Sequence, residues 1–321
     1  MHSPLRKLNR QIFTKGTTCL LPLLSIALVA VACAPAEPVI PGTTVDDLGR
    51  PLNIEEIPQR IISLAPSNSE ILFALGLGDK VVGVTEFCNY PPEVLETEKI
   101  GGFTTPDIEK IIALQPDLIL AGSIHAAEVI PALEERGLTV FALAPENLDG
   151  ILEDIRMVGK ITGREEEASE LVSQMETRIK AITDKTSNLK NRPRVFYITW
   201  HDPLWSVGSG PTIDELIENA GGVNIFQDIT GHKMVNLEEV IARNPEVIIA
   251  CTGHGEAEGK PFEWAEKEPW LEGTEARKNN RVYQIDADLV SRDGPRIVDA
   301  LEWLAYFIHP DIFPEPGETA A

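Results

Sequence analysis

One segment of the sequence occurs twice, and this repeat constrains the fold more than any other feature. Residues 107–121 (DIEKIIALQPDLILA) align without a gap on residues 236–250 (NLEEVIARNPEVIIA), and six of the fifteen positions are identical. Each copy begins with an Asp or Asn that can cap a helix, continues to a turn containing Pro, and ends in an apolar run. Helix–strand units can converge on such a pattern, but the shared capping position, Glu, Pro and final Ala favour two similar lobes.

Short runs rich in Ile and Val alternate with helical patterns along the rest of the chain. The predicted strands are Arg60–Leu64, Val81–Thr85, Leu118–Ala121 and Thr139–Leu143 in the first half, and Arg194–Thr199, Val247–Cys251 and Val282–Ile285 in the second. The predicted helices between them include Ser69–Leu75, Pro106–Leu114, Ala126–Arg136 and Asn236–Arg243. Apolar strands that alternate with helices are typical of parallel sheets covered on both faces, so the predicted fold class is α/β.

Residues 164–189 differ from this pattern, because they contain no Gly, Pro or strand signal and place Leu171, Met175 and Ile179 at helical spacing. One long helix linking two lobes is the economical interpretation, with a ligand cleft between the lobes. The predicted domains are a lipoprotein signal peptide (1–32), a lipidated tether and lead-in (33–58), an N-terminal lobe (59–163), a bridging helix (164–190), a C-terminal lobe (191–310) and a tail (311–321).

The first 33 residues predict export. Residues 1–16 carry four basic residues and no acidic one, and a 14-residue apolar run then extends from Cys19 to Ala32. This run is too short to span ~30 Å of hydrocarbon comfortably but suits a signal peptide. The Ala-Val-Ala sequence before Cys33 resembles a bacterial lipobox, although its first Ala stands where Leu is usual, so Cys33 is the predicted lipidation site. An uncleaved N-terminal anchor is the alternative, and both place the folded part outside the cytoplasm.

Composition and motifs argue against nucleic-acid binding and against catalysis. The chain has 50 acidic and 28 basic residues, a net charge of −22 that repels phosphate backbones. Its four cysteines are scattered and form no CxxC pair, and the histidines form no HExxH motif. Ser209, within the segment Gly208–Pro211, does not lie in the GxSxG motif that is typical of a catalytic serine. We therefore predict no catalytic residue and no resident metal site.

Aromatic residues are sparse, at 6% of the chain, yet several follow predicted strands. These are Phe87, Tyr90, Phe103, Trp200 and Trp205. Aromatic side chains in loops at strand ends would line a cleft and form an apolar platform for a large ligand. Packing within the core or the loops is the alternative for any one of them.

Three segments of the sequence resemble a known family. They are residues 60–93 (RIISLAPSNSEILFALGLGDKVVGVTEFCNYPPE), residues 101–121 (GGFTTPDIEKIIALQPDLILA) and residues 286–301 (DADLVSRDGPRIVDAL). Together they resemble the substrate-binding proteins of ABC importers for corrinoids, haem and ferric siderophores, and the likeness extends over roughly residues 45–309. The segment VGVTEFCNYPPE is more similar to the corrinoid-binding members.

The resemblance implies two Rossmann-like lobes joined by one long rigid helix, with the ligand held between them. It implies a monomeric, lipid-anchored carrier, not an enzyme, on the outer face of the cytoplasmic membrane. Its partners would be the ABC permease and its ATPase, and its ligand a corrinoid such as cobalamin. Haem or a ferric siderophore is the alternative ligand. An extracytoplasmic enzyme or chelatase on a related scaffold would need reactive groups that the sequence does not offer.

The same resemblance assigns ligand contacts. Phe87, Phe103 and Trp205 fall where aromatic residues contact the corrin; Trp200 is predicted as a further contact because it is an aromatic residue that follows a predicted strand. Asp288 and Arg292 match a polar pair at identical spacing. His232 stands where the family has a tryptophan, so it either packs as a smaller aromatic residue or ligates the metal of the ligand.

Glu109 and Glu238 occupy equivalent positions in the repeat. They coincide with acidic residues of the family, one on each lobe, that dock onto arginines of the permease. A two-lobed carrier that meets a two-fold permease needs one anion on each lobe at the same height. Taken alone, a glutamate on a helix surface is usually only solvated.

Overall fold

The computed structural model of the chain describes residues 42–252 and 259–317. The predicted signal peptide, the lipidation site at Cys33 and the first part of the tether lie outside these ranges. Within them, no helix is both long and apolar enough to cross a bilayer.

The first half of the described chain contains six strands and four helices before the long helix. The strands are β1 (Thr43–Val45), β2 (Pro51–Asn53), β3 (Ile61–Ser63), β4 (Val81–Val84), β5 (Leu118–Gly122) and β6 (Val140–Leu143). The helices are α1 (Pro66–Ala74), α2 (Ile108–Ala113), α3 (Val129–Glu134) and α4 (Leu148–Thr162), with short 3-10 turns at Gly78–Lys80, Pro92–Glu96 and Ser123–His125.

The second half begins with the long helix α5 (Glu165–Thr186). The strands that follow are β7 (Arg194–Ile198), β8 (Trp200–His201), β9 (Leu204–Val207), β10 (Val223–Asn224), β11 (His232–Met234), β12 (Val247–Cys251) and β13 (Val282–Ile285). The helices are α6 (Thr212–Asn219), α7 (Leu237–Arg243), α8 (Lys260–Lys267), α9 (Glu275–Lys278), α10 (Ala287–Ser291) and α11 (Ile297–Ile308), with a 3-10 turn at Pro269–Leu271.

Two four-stranded parallel sheets form the framework, in the orders β4-β3-β5-β6 and β10-β7-β12-β13. This confirms the predicted α/β class, and each predicted strand is found within one residue of its expected ends. Side chains alternate between the faces of each sheet. On β5, Leu118 and Leu120 join a core that also includes residues of α4, α5 and α11, whereas Ile119 joins a separate cluster. On β12, Ile249 belongs to that same shared core and Ile248 to a third cluster, so one apolar layer supports both sheets.

The sequence repeat is also a structural repeat at its helix ends. The side chain of Asp107 accepts a hydrogen bond from Lys110 N and begins α2, and the side chain of Asn236 accepts one from Glu238 N and begins α7. After each helix one residue takes a left-handed conformation, with φ of 49° at Gln115 and 46° at Asn244. The two segments therefore turn from helix to strand with the same backbone geometry.

The hydrogen bonding at the start of one strand in each parallel sheet, β3 and β7, is repeated as well. The amide of Arg60 donates to Asp117 Oδ1 (2.9 Å), and the amide of Arg194 donates to Glu246 Oε2 (3.0 Å). In return, the amides of Asp117 and Glu246 donate to the carbonyls of Arg60 and Arg194. In both halves, therefore, an acidic residue exchanges hydrogen bonds with the residue at the start of a strand. This shared arrangement favours a common helix–strand unit over chance resemblance.

The long helix α5 does not stand alone. Helix α4, which the sequence analysis did not identify, precedes it and packs against it, with Gly163 in a left-handed conformation (φ 68°) at the corner. A side chain at Gly159 would put its Cβ 2.4 Å from the Cβ of Ala168, so this close approach requires glycine. Arg178 of α5 also donates to both carboxylate oxygens of Glu302 on α11 (2.8 and 2.7 Å).

The prediction that Trp200 and Trp205 lie in a loop is wrong. They belong to β8 and β9, where they face each other in an antiparallel pair. With β11 these strands form a small third sheet. Strands of two to four residues contain too few alternating positions for periodicity to reveal them.

Candidate functional site

Two adjoining cavities lie at the carboxyl ends of the parallel strands. The first has a volume of about 610 Å³, the second about 490 Å³, and both are bordered by Pro145, Glu146, Ser291 and Asp293. Residues at the ends of β5 and β6 border the second cavity, and Cys251 at the end of β12 borders the first. Ligands in open α/β sheets bind at this edge, so the two cavities together form the candidate cleft.

Three of the predicted ligand-contacting residues border this cleft. Trp200 and His232 line the first cavity and Phe103 lines the second. Phe103 comes from the first half of the chain, and Trp200 and His232 from the second. The cleft therefore has aromatic side chains from both halves.

Phe103 is held by a histidine that the sequence analysis did not identify as part of the site. The rings of Phe103 and His125 meet edge to face, with centroids 5.3 Å apart. Nδ1 of His125 accepts from the amide of Gly122 (2.9 Å), so Nε2 carries the proton and donates to the carbonyl of Phe103 (2.7 Å). Burial lowers the pKa of His125, which keeps this ring neutral and able to make both bonds.

Trp200 and His232 lie on neighbouring parts of the small antiparallel sheet. The indole Nε1 of Trp200 donates to the carbonyl of Asp202 (2.7 Å), which fixes the ring. His232 begins β11 and pairs with Val207 on β9. Desolvation by neighbouring atoms lowers the pKa of the His232 imidazole below its usual value, so the ring is neutral at pH 7 and can act as a metal ligand.

Four other predicted contacts do not border either cavity. Phe87 is 58% exposed, and Trp205 is half-buried on β9. Asp288 and Arg292 belong instead to a buried polar network. Nη1 of Arg292 donates to Asn89 Oδ1 (2.7 Å), and Nη2 donates to Asp288 Oδ2 (2.6 Å), an oxygen that also accepts from Asn89 Nδ2 (3.0 Å). Arg292 is therefore already occupied by protein groups.

The centre of this network is Glu70, on α1, whose side chain is only 2% exposed. Its carboxylate accepts from Arg292 (2.9 Å) and from two nitrogens of Arg296 (2.9 and 2.6 Å). The guanidinium carbon of Arg296 also lies 4.0 Å above the ring of Tyr90. The network joins α1 to the segment after α10 and so ties the two halves together. The one signal in the sequence was an acidic residue within the apolar helix SNSEILFAL, and its arginine partners lie more than 220 residues further along the chain.

Four carboxyl groups cluster near the junction of the two cavities. Glu146 and Asp293 border both cavities, Asp47 borders the second, and Asp154 of α4 is buried beside them. Burial raises the pKa of Asp293. Burial, followed by the charge of Asp47 and then that of Asp293, raises the pKa of Asp154 to about 9. Asp154 is therefore protonated at pH 7.

The two glutamates of the repeat lie away from the cleft. Glu109 and Glu238 are exposed, and each is in the first turn of its helix, α2 or α7. Neither is among the described residues that border the two cavities. The structure therefore leaves both carboxylates accessible to a partner.

Comparisons with known proteins place these observations in context. A family model described as periplasmic binding protein matches residues 61–289. The ABC transporter substrate-binding lipoprotein YvrC of Bacillus subtilis, named as uncharacterized, is 36% identical over 86% of this chain and 88% of its own length. The vitamin B12-binding protein of Vibrio cholerae is 32% identical over 78% of this chain and 89% of its own.

A solved structure shows the same fold. The periplasmic haem-binding protein RhuT from Roseiflexus sp. RS-1, in its apo form, superposes with a TM-score of 0.70 at 29% identity, over 78% of this chain and 98% of that one. The crystal structure of the periplasmic vitamin B12-binding protein BtuF of Vibrio cholerae superposes with a TM-score of 0.68 at 30% identity, over 79% of this chain and 97% of that one. Proteins named for haem and for vitamin B12 therefore share this architecture.

Proposed function

Because the chain belongs to the periplasmic binding protein family, as an extracytoplasmic substrate-binding protein of an ABC importer, we propose that its ligand is a corrinoid of the cobalamin type. The coarse function follows from the family; the ligand is our proposal. One observation carries it: Phe103 and Trp200, from the two halves of the chain, border two adjoining cavities that share four of their bordering residues. Aromatic rings on both sides suit a large flat macrocycle.

A ferric siderophore fits this cleft less well. Anionic siderophores call for Arg or Lys in the cleft. None of the described residues bordering the two cavities is a Lys or an Arg. Arg292, a predicted ligand contact, is 8% exposed and bonded to Glu70.

Haem is the second candidate, and His232 is the observation that favours it. A neutral imidazole at the edge of the cleft can ligate haem iron. The relationship to RhuT, named as haem-binding, supports the same reading.

Delivery requires a permease and its ATPase, which the family implies as partners. We propose that Glu109 and Glu238 dock onto arginines of the permease, since equivalent exposed acids on two similar units match a two-fold partner. We also propose that the protein acts as a monomer held at the outer face of the cytoplasmic membrane by a lipid on Cys33. The division into two lobes with residues 164–190 as their bridge belongs to the same proposal.

The experiment that tests the ligand is a pair of titrations. The mature chain from Cys33 onward, produced without the lipid, is titrated with cyanocobalamin and with haemin while visible spectra and protein fluorescence are recorded. We expect saturable binding of cyanocobalamin, with Trp200 near the ligand quenched. Binding of haemin alone would replace the corrinoid proposal, and binding of neither would reject both.

A further inference from the structure

The cleft carries a charge pattern that the proposed function does not use. Among the described residues that border the two cavities, the charged ones are Asp47, Glu146 and Asp293. We call these three residues the acidic wall. They come from three different segments: the β1–β2 turn, the loop after β6 and the segment after α10. His232, the one histidine among the described bordering residues, is neutral at pH 7.

The protein holds two members of the acidic wall in place. The Asp47 carboxylate accepts from the amide of Ala144 (2.6 Å), and Asp293 Oδ1 accepts from the hydroxyl of Thr212 (3.1 Å). In each of these two residues, one carboxylate oxygen accepts a hydrogen bond that fixes the side chain. Its remaining acceptor capacity is available toward the cavity, because an ionised carboxylate offers about four lone-pair sites.

A second observation shows that the charge at this end of the cleft is negative. Asp154 is 4% exposed, and the charges of Asp47 and Asp293 add to burial in raising its pKa. A nearby like charge disfavours ionisation of a carboxyl group. Asp154 therefore keeps its proton at pH 7 beside the acidic wall, and none of the described residues that border the two cavities is a Lys or an Arg.

We propose that the acidic wall selects ligands whose peripheral groups are uncharged amides over ligands that carry carboxylates. This inference rests on the proposed function and deepens it, because an amidated corrinoid and haem differ in this respect. An amide NH₂ donates to a carboxylate in a charge-assisted hydrogen bond. A carboxylate in the same place meets a like charge in a partly desolvated cleft and is rejected.

Matched probes test this directly. Cyanocobalamin is compared with its monocarboxylic acids, which differ from it by one side-chain amide converted to a carboxylate. Wild-type protein is expected to bind cyanocobalamin at least about tenfold more tightly than at least one of these acids. Asp293→Asn combined with Glu146→Gln keeps the shapes but removes the charges, and should reduce that ratio at least about fivefold. If the double variant does not fold, Glu146→Gln alone can be used, because this side chain is exposed. It is expected to reduce the affinity ratio in part.

A control variant removes the same two residue types elsewhere. Asp184→Asn with Glu263→Gln changes an exposed Asp and an exposed Glu, each paired with a lysine on its own helix. This control should leave the ratio unchanged. An equal ratio in wild type and in the acidic-wall variant would overturn the inference.

Failure of the proposed function can be told apart from failure of this inference. If cyanocobalamin does not bind but haemin does, the corrinoid proposal fails. The acidic wall is then tested with haemin, which carries carboxylates, and its dimethyl ester, which does not. The wild-type protein should bind the ester more tightly than haemin, and the Asp293→Asn, Glu146→Gln variant should lose this preference. If neither macrocycle binds, both ideas are rejected.

Discussion

Oε1 of Glu70 lies 2.9 Å from Nη1 of Arg292, and the two side chains are 2% and 8% exposed. This buried ion pair joins α1 to the segment that follows α10. Arg296 donates to the same carboxylate, so each charge has a partner and the network is well satisfied. The pair fixes the two halves of the chain at the cleft, and it explains why Arg292 is not a free cation for a ligand.

Removing Glu70 is expected to destabilise the protein strongly. Glu70→Ala leaves two arginines without their shared partner, one of them buried, and such losses cost about 3–5 kcal/mol. The measurement is the free energy of unfolding from urea denaturation. As a control, Asp184→Ala breaks an exposed pair with Lys180 and should cost less than about 1 kcal/mol. Equal effects of the two substitutions would contradict the role given to Glu70.

Asp154 is expected to make stability depend on pH. Its pKa of about 9 in the folded protein is raised above the value of 3.8 for the free group. Between these values the unfolded chain releases a proton that the folded chain keeps. The stability contributed by this group is therefore fully present below pH 3.8 and is lost as pH rises toward 9, by up to about 1.4 kcal/mol per pH unit.

Asp154→Asn should remove this dependence. The amide is neutral at every pH and can donate to the neighbouring Asp47. Urea denaturation of wild type and variant from pH 5 to pH 8.5 should show the variant gaining stability over wild type as pH rises. Parallel curves would mean that Asp154 does not hold its proton.

His232 is expected to bind the iron of haemin when haemin occupies the cleft. The lowered pKa keeps its imidazole free of a proton down to below pH 6.5, so the ligated spectrum should persist there and be lost at lower pH. His232→Phe should abolish the spectral change while largely keeping affinity. An unchanged spectrum in the variant would show that His232 does not touch the metal.

Glu109 and Glu238, which we propose dock onto the permease, are expected to affect transport and not ligand binding. Glu109→Arg with Glu238→Arg reverses the charge at two exposed first-turn positions, and should abolish complex formation with the permease reconstituted in vesicles. Affinity for cyanocobalamin should stay within about twofold, since neither residue borders the cavities. Glu165→Arg with Glu166→Arg, in the first turn of α5, is the matched control. Equal transport by both variants would contradict the docking proposal.

The framework could be predicted because its signals are local. Buried parallel strands such as β5 and β12 are continuous apolar runs, and the caps at Asp107 and Asn236 mark helix starts. Helix ends were less well predicted: α1 begins at Pro66, three residues before the expected start, because proline is favoured in the first turn. Helix α4 was missed, although Asn147 caps it and Gly163 ends it.

The site was only partly predictable, since it depends on contacts between distant segments. The ion pair of Glu70 and Arg292 spans 222 residues, and nothing near either residue reveals the other. The same holds for His125 behind Phe103. Phe103 and Trp200 were found because they are aromatic residues that follow predicted strands, and His232 was found because the resemblance pointed to it.

The central claim is that a flat macrocycle lies between Phe103 and Trp200. Phe103→Ala with Trp200→Ala removes both rings, and each should contribute on the order of 1–2 kcal/mol through buried apolar area. Isothermal titration with cyanocobalamin is therefore expected to show at least a tenfold weaker affinity in the double variant, with circular dichroism confirming the fold. Tyr306→Ala with Trp303→Ala, on α11 and away from both cavities, controls for loss of aromatic residues and should leave affinity within about twofold. Wild-type affinity in a folded Phe103→Ala, Trp200→Ala variant would contradict the account.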